Sequence, residues 1–256
     1  MVLEYLVFLV AGLVTGVVTG MVGASALVVF VPIVLLFFDY SLFSLIGLSL
    51  AVDTFVSLTS FWTYKKFGHV NIKLGIYLSV IAVLGAIVGS YVSILLPTKI
   101  LSVVTGVFTC FTGFMIILRK SSLKNKKPFF GKSRDKLKFG LSFILAFFIG
   151  LVGGAVGAAG GVSLLLLFIF VMGFEIHLAI GTSVFVMFFI ALSGAVSHFY
   201  YEPISFSYLV FGAIGGIIGA RYSSRIANLL SEKTLNKIVG AMLFVFGIIV
   251  IVKGLV

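Results

Sequence analysis

The chain is poor in the residues that carry most solution chemistry. Of its 256 residues only 7 are Asp or Glu, 3 are His, and one, Cys110, is cysteine. A lone cysteine cannot close an intramolecular disulfide, and no Cys/His spacing reads as a metal site. Neither a metal nor a cofactor is expected, and no catalytic residue is assigned. Charged residues amount to 10%, too few to coat a water-soluble domain of this size. No nucleotide-binding motif occurs, so ATP-driven work would need a second chain.

What is present is apolar. Hydrophobic residues make up 61% of the chain and the mean hydropathy is +1.32. Segments of about 20 apolar residues recur from end to end, each long enough to cross a bilayer. They are continuous rather than alternating, which excludes a β-barrel reading. The expectation is an all-α polytopic protein, multi-pass in the cell membrane. The opening "MVLEYLVFLVAGLV" holds an acid and no basic residue, and reads as the first membrane element rather than a signal peptide. The net charge of +11 does not indicate nucleic acid, because nine of the 18 basic residues lie in one stretch, Arg119 to Lys138. That stretch reads as a cytoplasmic loop in contact with anionic headgroups.

Shifting the sequence by 134 residues aligns it with itself. Gly16, Gly20 and Gly23 fall on Gly150, Gly154 and Gly157; Gly47 and Ser49 on Gly181 and Ser183; Gly85, Ala86 and Ser90 on Gly219, Ala220 and Ser224. Ordered glycine matches at one offset indicate a duplicated chain. The halves are 1–118 and 139–256, joined by the basic loop 119–138. Each half opens with a glycine-bearing apolar run too long for one span, Val2 to Phe38 and Phe139 to Met172. Three ordinary spans follow, at 44–64, 73–96 and 99–118, then at 176–198, 207–230 and 234–254.

Loop charges suggest that the halves are inverted. "YKKFGHVNIK", Tyr64 to Lys73, is basic, but its counterpart "HFYYEPISFS", His198 to Ser207, has no Lys or Arg. The basic residues of the second half stand one loop further on, at Arg221, Arg225, Lys233 and Lys237. A flip needs an odd number of crossings per half, so each long run is expected to pass twice, with both termini outside. Broken, glycine-rich segments at matching positions of two such halves point to a midplane substrate site.

The second break is "GGAVGAAGG", Gly153 to Gly161, and its partner is "GMVGASA", Gly20 to Ala26. A broken helix exposes N–H groups and a positive dipole, which together attract an anion. Gly23, Ser25, Gly157, Gly160 and Gly161 are the resulting candidates. Gly16, Gly20, Gly150 and Gly154 fit the alternative of close helix packing by small residues. Ser49, Thr182 and Ser183 stand early in their spans, where a hydroxyl donates to an oxyanion or bonds back to its own helix. Asp53 is the one acid deep in an ordinary span, a costly position that marks transport or ion coupling. His69 and His198 read as interfacial and Arg221 and Arg225 as snorkelling. Trp62, Tyr64, Tyr200 and Tyr201 read as an aromatic belt.

Two long runs, each followed by a Gly-x-Ser step ("GLS" at 47–49, "GTS" at 181–183), resemble the TauE/SafE group of sulfite and organosulfonate exporters, also called toluene sulfonate uptake permeases. The resemblance covers nearly the whole chain. It departs where Ala24, Ser25 and Ala26 replace a fuller glycine cluster, and where Leu166 stands opposite Pro32. It implies a membrane carrier of small, mostly sulfur-containing anions such as sulfite or a sulfonate, in either direction. With the paired breaks, the expectation is a secondary transporter working by alternating access, with Asp53 either carrying a coupling proton or fixing a polar network. The expected partners are a small anionic substrate and the lipid bilayer, with nucleic acid excluded and homo-oligomer formation left open. A cation or proton carrier built on Asp53 and a passive anion channel are the alternatives. An intramembrane enzyme lacks a paired nucleophile and base.

Overall fold

A computed structural model of the chain describes residues 2–38, 40–93, 135–156, 160–201 and 205–255, with isolated positions between 103 and 117. The expected span 99–118 and most of the basic loop therefore lie largely outside the described residues. The helices are α1 (Val2–Val22), α2 (Leu27–Leu35), α3 (Leu42–Lys66), α4 (Ile72–Ser93), α5 (Asp135–Val156), α6 (Gly160–Leu166), α7 (Ile176–Tyr201), α8 (Phe206–Leu229) and α9 (Glu232–Leu255). A π-helical turn, Leu167–Val171, extends α6. No strand occurs among the described residues.

Among the described residues, five helical stretches are long and apolar enough to cross a bilayer: Val2–Val22, Phe43–Lys66, Ile72–Val92, Lys138–Ala155 and Ile176–Tyr201. Large apolar side chains such as Leu84, Ile144 and Val196 face outward, as expected where the surrounding solvent is lipid rather than water. The protein is a multi-pass helical membrane protein.

The first long run resolves as a hairpin. α1 is a full-length helix, the chain breaks at residues 23–26, and α2 runs back beside it for 9 residues. Phe30 of α2 and Tyr40 beyond it reach Phe8 near the start of α1, with ring centroids 5.9 and 6.0 Å away. The turn is local chemistry. Gly23 takes φ +70°, a left-handed conformation that glycine alone adopts without strain. Its N–H bonds the Thr19 carbonyl at 2.7 Å, and the Thr19 hydroxyl donates to the Ala24 carbonyl at 2.7 Å.

Glycine governs the helix pairing. Between α1 and α8, a Cβ on Gly12 or Gly16 would overlap the carbonyls of Gly212 or Gly216. Between α4 and α5, a Cβ on Gly150 or Gly154 would overlap those of Ala82 or Ala86. In lipid, where apolar burial drives little association, such backbone approach supplies the packing. Residue numbers rise together across both pairs, so each pair runs in one direction. α3 and α7 form the centre and run oppositely: Phe43 meets His198, Phe61 meets Phe185, and Tyr64 lies against Gly181.

Candidate functional site

The first break and the middle of α3 form one polar cluster. Asp53 stands near the centre of α3 and is fully buried. Its Oδ2 accepts from the Ser25 hydroxyl at 3.0 Å and from the Ala26 amide at 3.1 Å. Its Oδ1 accepts from the Ser57 hydroxyl at 3.3 Å. Ala26 immediately precedes α2, so its N–H is one of the donors that a helix start leaves without an intrahelical partner. Asp53 thus supplies, from within the chain, the negative group that the first break favours.

The second break lies against the first. A Cβ on Gly161 would overlap the Gly23 carbonyl and come within 3.1 Å of the Ser25 nitrogen. Gly160 faces Met187, whose sulfur is 3.0 Å from where a Cβ would stand. Met187 occupies the position 134 residues beyond Asp53, so the carboxylate at the first break has a thioether as its counterpart at the second. Ser183 faces Gly23, its Oγ 2.7 Å from that residue's would-be Cβ.

Gly23, Ser25, Asp53, Gly160, Gly161 and Ser183 are therefore brought together. Ser49 and Ser183 are buried, and each hydroxyl bonds back to its own helix, to the Ile46 carbonyl at 2.8 Å and the Ile180 carbonyl at 2.9 Å. Thr182 serves a different contact. Its hydroxyl donates to the Leu178 carbonyl at 2.7 Å and accepts from the Asn71 amide at 3.0 Å, beside the start of α4. Gly157 lies outside the described residues.

Two boundary expectations change. Tyr64 is fully buried rather than part of an aromatic belt, and its hydroxyl donates to the Gly20 carbonyl at 3.0 Å. His198 is buried rather than interfacial, with Nε2 3.2 Å from the Gly154 carbonyl. Trp62, Tyr200 and Tyr201 remain exposed, as do Arg221 and Arg225.

Several contacting residues escaped the sequence reading. Ser57 and Ser60 were readable as helical-spaced neighbours of Asp53. Met187 gave no signal, being one apolar residue among many. His177 gave none either, yet its ring centroid lies 5.1 Å from that of His69, and His69 Nδ1 is 2.6 Å from Asn228 Oδ1.

A family model described as sulfite exporter TauE/SafE matches residues 8–250. The chain belongs to the TauE/SafE family. Every residue of the polar cluster falls within the matched segment. The chain is similar to the probable membrane transporter protein YunE of Bacillus subtilis, at 25% identity over 275 residues covering 99% of each chain. It is also similar to the probable membrane transporter protein YdhB of the same organism, at 21% identity over 216 residues, 84% of this chain and 87% of the relative. No solved structure matches. Membership in TauE/SafE and the buried polar centre between apolar helices agree on a membrane transporter.

Proposed function

We propose that this protein is a secondary transporter of small sulfur-containing oxyanions, sulfite or a sulfonate, alternating access around its two glycine-broken helices. The observation that carries the reading is the apposition of the two breaks, Gly161 against Gly23, beside a buried Asp53. Backbone amides and the hydroxyl of Ser25 offer an anion donors without a fixed positive charge, which lets the cargo leave again. The halves act as inverted repeats. α1 runs with α8 and α5 runs with α4, and α4 turns back from α3 through the short turn 67–71. These directions support opposed first helices.

Asp53 couples the cycle to protons. While ionised, it accepts from Ser25 and Ala26, the donors that a substrate oxyanion needs. Proton uptake weakens that hold, so anion and proton enter together.

The test is binding to the purified protein, by thermal shift and calorimetry, of sulfite, thiosulfate, sulfate, sulfonates and carboxylates. Stabilisation by a sulfur oxyanion is expected. If none binds while a metal cation does, the reading falls. The buried carboxylate favours one second reading, a cation or proton carrier. Asp53→Asn separates the two: a cation site loses binding outright, whereas an anion site keeps binding and loses coupling.

A further inference from the structure

α3 carries more buried polarity than substrate contact requires. Asp53, Ser57, Ser60 and Tyr64 are all fully buried. Their spacing of four, three and four residues places them on one helix face. Ser57 bonds the carboxylate, at 3.3 Å from Oδ1. The Ser60 hydroxyl has no hydrogen-bond partner among the described residues, and neither does the buried Thr15 hydroxyl on the adjoining α1. Leaving a hydroxyl buried without a partner costs about 1–3 kcal/mol, so its persistence on this face calls for a role.

We infer that this face is a proton route between Asp53 and the basic end of α3. The inference deepens the proton-coupled reading above and rests on Asp53 as its proton site. Each hydroxyl accepts a proton on oxygen and passes on its own, so protons move and no bond between heavy atoms changes. The three-residue step from Ser57 to Ser60 spans about 4.5 Å along a helix, so a bridging water completes that link. Tyr64 closes the track where α3 reaches Lys65 and Lys66. Beyond it stand the partly exposed His69 and His177, with ring centroids 5.1 Å apart.

The route is one-sided. In the other direction Leu45 and Ile46, beyond Ser49, are buried and apolar. In the second half the matching positions are Met187, Ala191, Gly194 and His198, which offer no hydroxyl. The titratable groups on the elements packed against α3 stand toward the helix ends: Glu4 and Tyr5 near the start of α1, His177 at the start of α7 with His198, Tyr200 and Tyr201 at its end, and Tyr208 near the start of α8 with Arg221, Tyr222 and Arg225 toward its end. α2 has none.

The experiment follows the Asp53 carboxyl by infrared spectroscopy after a pH jump, in purified protein without substrate, identifying its band by loss in Asp53→Asn. Ser60→Ala is expected to slow the band's response by about tenfold or more while leaving its final amplitude unchanged. Ser57→Ala is expected to slow it as well, and also to change the amplitude because it removes a donor to the carboxylate. Ser60→Thr, which keeps a hydroxyl, is expected to restore the rate. A merely structural serine would change thermal stability and not this rate. Wild-type rates in both alanine variants would overturn the inference, as would a wild-type band that does not respond to the pH jump. Because no substrate is present, failure to bind a sulfur anion is a separate result and bears only on the transport reading.

Discussion

Tyr64 and His198 hold equivalent backbone atoms. The Tyr64 hydroxyl donates to the Gly20 carbonyl at 3.0 Å, and His198 Nε2 lies 3.2 Å from the Gly154 carbonyl. The intervals agree: 198 − 64 = 134 and 154 − 20 = 134. Each carbonyl belongs to the last turn of a helix that ends at a break, α1 at Val22 and α5 at Val156, where carbonyls lose their intrahelical partners. A side chain from the central pair α3 and α7 supplies the missing donor and ties the break to the centre. Tyr64→Phe keeps the ring and removes the donor. We expect a loss of about 1 kcal/mol, the scale of interhelical hydrogen bonds in membranes, read as a lower unfolding midpoint in detergent. His198→Phe is expected to cost less, because the Ser90 hydroxyl also donates to the Gly154 carbonyl, at 3.2 Å.

Asp53→Asn tests the competition between carboxylate and cargo. Asparagine keeps an oxygen to accept from Ser25 and Ala26, so the break stays closed and the fold is retained. The substitution removes the charge and its titration. For a sulfonate, which stays ionised throughout, wild-type affinity is expected to rise as pH falls, because proton uptake releases the donors. One linked proton limits the slope to about tenfold per pH unit. Calorimetric titrations across pH should give a flat profile for the variant; a slope equal to wild type would sink the competition.

Which parts of this arrangement were legible beforehand follows from their physics. Asp53 announced itself because an acid inside an apolar span is costly wherever it faces. The glycine pairs were legible because the offset recurs, and Gly150 and Gly154 do pack a helix, as their small-xxx-small spacing suggests. Thr182 and Ser183 were read as equivalent, yet neighbours on a helix point about 100° apart. Only Ser183 faces Gly23, while Thr182 turns to Asn71. The meeting of Gly161 with Gly23 needed the fold, because sequence marks where a helix breaks and not which break it touches.

Gly161→Ala asks whether that meeting matters. The new methyl would overlap the Gly23 carbonyl, a backbone atom that cannot move aside as a side chain would. Overpacking of this kind costs about 1–3 kcal/mol. We expect a lower unfolding midpoint together with loss of sulfur-anion binding. Gly140→Ala is the matched control. Its Cβ would meet nothing within 4 Å, and alanine is the better helix former by about 1 kcal/mol. Stability should therefore hold or rise there, with binding unchanged. Equal behaviour of the two variants would separate the breaks from the site.

The opposed orientation of the halves can be read from outside the molecule. Cys110 is the lone native cysteine, so replacing it with alanine gives a background free of thiols. Lys66→Cys and Glu202→Cys then place single thiols in loops that correspond between the halves, since 202 − 66 is 136, within two residues of the repeat offset. If the halves are inverted, a membrane-impermeant maleimide added to intact cells labels position 202 and spares position 66. Permeabilisation then exposes position 66. The sign of the assignment comes from Lys65, Lys66 and the basic stretch 119–138, which the positive-inside rule holds in the cytoplasm. Labelling of both positions from the same side would mean that each half crosses an even number of times. The two breaks would then approach the centre from one side, and alternation between opposed hairpins would have to be abandoned.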